Sequence, residues 1–248
     1  MHRRLFLAST LAAPALLLRP RALRAAQPVD VELILAVDVS RSVDAQEQEL
    51  QFKGYEAAFR DPRLVEGISG GPLGSIAVLF FTWSGWNQQE ILVPWSRLGS
   101  PADCHAFADT LAEAPRKTHL YTSISGAMDF AAQQFGQAFE GTRQVVDISG
   151  DGVNNSGRPV AEAREAALAK GIVLNGLAVI DNTPLPPALA AGLPPLEDYY
   201  RDEVIGGPGA FLVVAEGFDS FETAVRRKII REIALNAPAG PLVERVVV

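Results

Sequence analysis

The chain has 248 residues, 48% of them hydrophobic and 21% charged, with a formal net charge of −7. That composition supports one full core in a single domain of roughly 200 residues. The acidic excess repels phosphate backbones and argues against nucleic acid as a partner, and the single cysteine, Cys104, excludes an intrachain disulfide.

Residues 1–26 read as an export signal outside the fold. Met1-His2-Arg3-Arg4 is basic, residues 5–18 are apolar, and residues 19–26 are basic and end in small residues. The apolar stretch is short for a bilayer and is broken by Pro14, so a cleaved signal fits better than an anchor, with Ala25 or Ala26 the last residue removed. Arg3-Arg4-Leu5-Phe6-Leu7 resembles a twin-arginine signal, and a periplasmic location is expected. Without the five arginines of this segment, 17 basic residues face 29 acidic ones, a net charge of −12. Nothing after residue 26 is apolar for long enough to cross a membrane.

Residues 27–236 carry the domain, and 237–248 read as a loosely attached tail. The run Val31-Glu32-Leu33-Ile34-Leu35-Ala36-Val37 predicts a buried first strand. Asp44-Ala45-Gln46-Glu47 is a capping box, opening a helix with Phe52, Tyr55 and Phe59 on one stripe that stops at Asp61-Pro62. Strands follow at 75–81 and 90–93, paired as a hairpin around residues 83–89, then a short helix over 102–111. A helix is predicted over 123–139, from Ala127, Ala131, Phe135 and Ala138, and a strand over 144–148. Pro159 begins and Gly171 ends another helix, and 172–180 is a near-continuous apolar strand. The proline-rich stretch 181–195 reads as an exposed loop, 211–214 as a last strand. Asp219-Ser220-Phe221-Glu222 reads as a second capping box, before a helix striped by Phe221, Val225, Ile229 and Ile233. Strands alternating with helices imply a doubly wound α/β fold: a mainly parallel central sheet flanked by helices, with one antiparallel edge strand.

Asp38-Val39-Ser40-Arg41-Ser42 follows the first strand. The carboxylate and two hydroxyls at alternate positions point the same way, toward the carboxyl edge where open α/β sheets bind ligands. Such hard oxygen donors suit Mg²⁺ or Mn²⁺; the alternative is that they only cap the next helix. Thr122, at the start of a predicted helix, and Asp151, in Ser149-Gly150-Asp151-Gly152 after the fourth predicted strand, fall at the same edge. As structural residues, Thr122 would be an N-cap and Asp151 a turn residue.

In this order, Asp-x-Ser-x-Ser, Thr and Asp, the chain resembles the von Willebrand factor type A (VWA) domain, the fold of integrin I domains, over roughly residues 29–235. Within that family it is most similar to a bacterial exported, single-domain group (DUF1194-like). The resemblance implies a metal-ion-dependent adhesion site, or MIDAS, with Asp38, Ser40, Ser42, Thr122 and Asp151 as metal ligands. It further implies a partner protein that presents an exposed Glu or Asp to the ion. Catalysis is not implied, because nothing nearby is placed to move protons. Two features depart from the family pattern: Gly150 stands before Asp151, where Thr-Asp-Gly or Ser-Asp-Gly is usual, and Asp147 interrupts an otherwise apolar strand.

Enzyme signatures are sparse. After residue 26 only His105 and His119 remain, which disfavours an imidazole zinc site, and no P-loop, dinucleotide or Gly-x-Ser-x-Gly motif occurs. The remaining alternatives are a metal-dependent phosphohydrolase using Asp38 and Asp151, and a structural α/β module without metal. Trp83, Trp86 and Trp95 read either as hairpin packing or as a binding edge. Asn154 and Asn155 read as ordinary turn residues that share the rim of the site.

Overall fold

Every residue of the first strand, β1 (Gln27–Asp38), from Val29 onward is buried, because helices cover both faces of the sheet there. Val31, Leu33, Leu35 and Val37 enter one core and Ile34 and Ala36 the other, following the two-residue period of a strand. The computed structural model describes residues 26–180, 192–233 and 242–247, so nearly all of the predicted signal lies outside the described residues.

The remaining strands are β2 (Ile76–Trp83), β3 (Gln89–Leu98), β4 (Phe139–Gly150), β5 (Val173–Ile180), β6 (Leu212–Glu216) and β7 (Val243–Val246). They form one sheet in the order β3-β2-β1-β4-β5-β6-β7, with only β3 antiparallel to its neighbour. The predicted doubly wound α/β architecture is therefore present. Strand order reverses at β1, which opens a crevice at its carboxyl end.

Helices α1 (Ala45–Arg60), α2 (Pro62–Ser69), α3 (Pro101–Ala112) and α7 (Phe221–Ile233) cover one face. Helices α4 (Ile124–Ala131), α5 (Val160–Leu168) and α6 (Leu196–Tyr199), with the π-helical turn Tyr200–Val204 after α6, cover the other. The Asp44 capping box forms as the sequence predicts. Asp61 caps α2, with Pro62 at its first position, so the predicted stop of one helix is also the start of the next.

Three expectations change. The helix predicted over 123–139 ends at Ala131, where Trp95 Nε1 takes the Gln134 carbonyl at 3.0 Å and Gly136 turns the chain at φ 72°. Phe139 instead begins β4, paired with Gln27. Phe218–Ser220 forms a 3₁₀ turn, with the Ser220 hydroxyl donating to the Glu216 carbonyl, so α7 starts at Phe221 rather than from an Asp219 capping box. Val243–Val246, within the expected loose tail, pairs with β6 and buries Val246. Residues 181–191 of the predicted loop lie outside the described residues.

Candidate metal centre

Asp38, the last residue of β1, is fully buried at the carboxyl edge. Its Oδ1 accepts the Ser40 amide at 2.7 Å, which turns the chain out of the strand. Ser40 Oγ then lies 3.2 Å from Ser42 Oγ, and Ser42 Oγ donates to Asp151 Oδ1 at 2.8 Å. Asp151 follows Gly150, the last residue of β4, which pairs with Ala178. Four of the five predicted site residues are thus joined in a chain of short contacts.

Thr122 comes in from the loop before α4. Ser123, not Thr122, caps that helix: Ser123 Oγ accepts the Gly126 amide at 3.1 Å. The N-cap alternative for Thr122 therefore fails, and Thr122 lines the same cleft as Ser42 and Asp151. Its backbone is clamped to the third loop, with the Thr122 amide donating to Asn155 Oδ1 at 2.9 Å and the Asn155 amide donating to the Thr122 carbonyl at 2.8 Å. Asn154 Oδ1 accepts the Ser125 amide at 3.1 Å. These asparagines hold two site loops together, a role that their turn propensity did not reveal. A side-chain carbon at Gly152 would lie 3.8 Å from Thr122 Oγ1. Ser42, Thr122 and Asp151 line one end of a common cleft of about 650 Å³.

The electrostatics are uneven. Burial, and then the charge of Asp151, push the Asp38 carboxyl well above the ordinary range, and the bonds from Ser40 only partly oppose them. Asp38 Oδ2 is buried without a hydrogen-bond partner. A buried carboxylate oxygen left unpaired beside a second acid is costly, and a bound cation would remove that cost. The donor set fits a hard divalent cation: two carboxylates and three hydroxyls, all oxygen. Among the described residues no cluster of three or more His, Cys, Asp or Glu forms a competing site.

The other candidates separate cleanly. His105 is exposed on α3, while His119 pairs through its backbone with Ser40 and sets its ring 3.5 Å from the Gln88 amide. Trp83 is fully buried and Trp95 packs on Phe135 and Phe139, as hairpin packing requires, whereas Trp86 is 64% exposed. Asp147 points away from the site into the opposite core, 2.7 Å from Lys228 Nζ. Tyr200, which no motif marked, is buried beside Asp38. Burial first, then the charges of Asp38 and Asp151, push its phenol well up.

A seven-stranded sheet of this order, with these loops gathered at its carboxyl edge, has the VWA fold. A structure of proximal thread matrix protein 1 (PTMP1) from the mussel byssus, with a zinc occupied MIDAS motif, matches at TM-score 0.56 and 14% identity, over 84% of this chain and 49% of that one. The chain thus spans about half of the PTMP1 chain. A von Willebrand factor type A structure from Catenulispora acidiphila matches at TM-score 0.54 and 10% identity, over 84% of this chain and 42% of that one. BatB from Bacteroides thetaiotaomicron matches at TM-score 0.52 and 21% identity, over 82% of this chain and 98% of that one. The chain belongs to the family described as protein of unknown function (DUF1194), whose model matches residues 28–237. No curated protein matches it.

Proposed function

We propose that this is an exported binding domain that holds Mg²⁺ or Mn²⁺ at Asp38, Ser40, Ser42, Thr122 and Asp151, and through that cation grips an exposed Glu or Asp of a protein partner. The observation that carries this reading is the buried, unpartnered Oδ2 of Asp38 with Asp151 alongside. When bound, the cation supplies an electrophilic position for an outside carboxylate, because three of its five protein donors are neutral. The chain's own residues shape the approach. Val153, Ile180, Leu193 and Leu196 give the cleft an apolar wall, and Leu120 and Tyr121, next to Thr122, are 65% and 56% exposed. Exposed apolar side chains grouped around a polar centre suit protein docking. The zinc in the PTMP1 motif adds Zn²⁺ to the ions worth titrating.

The test is capture of partners from periplasmic extract, repeated with chelator and with high salt. The expected partner is lost with chelator and largely kept in salt, because a carboxylate at contact distance from an ion is screened less than surface charge pairs. Binding that survives chelator and disappears in salt would contradict the reading.

A further inference from the structure

Gly150 and Tyr200 meet at the metal centre in a way that neither the motif nor the fold family explains. A side-chain carbon at Gly150 would lie 2.7 Å from Tyr200 Oη and 3.0 Å from Asp38 Oδ2. Two oxygens from distant parts of the chain therefore converge on the bare face of the glycine. Both are fully buried, and neither has a hydrogen-bond partner. Buried polar atoms are nearly always paired, so two orphans facing one point mark a function rather than a packing accident.

The backbone around Tyr200 is also unusual. The residue opens a π-helical turn (Tyr200–Val204), a feature found mostly as single turns and frequently at functional sites. Its ring is fixed over β5, where a side-chain carbon at Gly176 would lie 3.0 Å from Tyr200 Cδ1. The hydroxyl is thus carried by a closely packed ring toward the Asp38 carboxylate.

We propose that Tyr200 is a positioning residue of the metal centre, its hydroxyl donating to Asp38 Oδ2 and holding that carboxylate turned toward the cation. The inference rests on the metal reading above. A phenol suits this task better than a lysine or arginine would, since it offers a hydrogen bond without a positive charge that competes with the ion. Gly150 is required because any side chain there would occupy the place of the hydroxyl. The same arrangement ties the cleft wall to the ion, since Leu196 and Glu197 of α6 line the cleft a few residues before Tyr200.

Tyr200→Phe keeps the ring and removes only the hydroxyl, and its fold is checked by its melting temperature. Calorimetric titration should show Mn²⁺ affinity about ten- to a hundredfold weaker than wild type, the loss expected for one hydrogen bond to a charged group. Mn²⁺ should also shift the near-ultraviolet tyrosine band of the wild type, as one phenol becomes a donor, and this shift should be missing from Tyr200→Phe. Wild-type Mn²⁺ binding that is lost in Asp38→Ala yet unchanged in a folded Tyr200→Phe would overturn the role of Tyr200 and leave the metal reading standing. A wild type with no tyrosine shift on binding Mn²⁺ would overturn it as well. Failure of the wild type to bind Mn²⁺ would overturn both.

Discussion

The Ser42 hydroxyl donates a hydrogen bond to Asp151 at 2.8 Å, which leaves its lone pairs for a cation, and Ser40 Oγ sits 3.2 Å away in the same chain of contacts. Each serine therefore adds an oxygen donor and no charge. Ser42→Ala and Ser40→Ala should each weaken Mn²⁺ binding while the protein remains folded. Ser100 offers the comparison. It caps α3 by accepting the Asp103 amide at 3.2 Å, just past Leu98, which pairs with Ile76 at the end of β2 remote from the site. Ser100→Ala should cost about 1 kcal/mol of stability and leave Mn²⁺ affinity unchanged. Titration calorimetry and urea denaturation of the three variants check this. Equal Mn²⁺ affinity in all three would reduce Ser40 and Ser42 to structural residues. At this scale the sequence was legible where chemistry is local: Asp38, Ser40 and Ser42 lie within five positions, and the direction of their side chains follows from the strand before them. Thr122 was harder to place, because only the structure shows that Ser123 takes the cap.

Between β4 and α7 lies a second, fully internal group of charges. Lys228 Nζ on α7 is 2.7 Å from Asp147 Oδ1 and 2.5 Å from Glu232 Oε1, all three residues being at most 1% exposed. Asn175 Nδ2 donates to Glu232 Oε1 at 3.1 Å, and Arg143 donates to the Glu232 carbonyl. Tyr55 on α1 faces the same group, its phenol pushed up by burial and then by the charge of Asp147. Lys228→Met would leave the buried Glu232 carboxylate without its cation and should destabilise the fold by about 3–5 kcal/mol. Burial pushes Asp147 up to about 7, with Lys228 opposing the rise and Glu232 adding to it. An unfolded chain releases the same proton at about pH 3.9. Between these values the native state keeps a proton that the unfolded state has lost, so this contribution to stability is full at low pH and is lost as pH rises through about 7. Relative to Asp147→Asn, the wild type should lose stability from about pH 4 to about pH 7 and level off above that. Urea denaturation across that range measures the difference, and a flat difference would contradict this account. Asp147 stood out in the sequence as a charge within an apolar strand. Its partner did not, because Lys228 comes from a helix distant in the chain. The end of α4 was hidden for the same reason: a favourable period ran on through Phe135, and the residue that captures the Gln134 carbonyl is Trp95 on β3.

Taken whole, the proposed metal centre would be a small electrophilic point in an acidic surface. With residues 1–26 removed, the expected net charge of −12 would repel a wholly acidic partner at long range, so the proposed partner is neutral or basic overall with one acid presented to the ion. The topology was legible because parallel strands buried on both faces leave continuous apolar runs, as in β1 and β5. β7 was not, since a four-residue edge strand beyond α7 carries too little pattern to distinguish it from a tail. Gly150 was visible as a departure, but its reason, the hydroxyl of Tyr200, is a contact that only the folded chain creates. Among the described residues no helix is long and apolar enough to cross a membrane. Everything proposed for the carboxyl edge depends on one buried carboxylate, and calorimetric titration of the protein and of Asp38→Ala with Mn²⁺ tests it most directly. The account predicts that the wild type binds one ion and that a folded Asp38→Ala binds none; equal binding by the two, or none by the wild type, would contradict it.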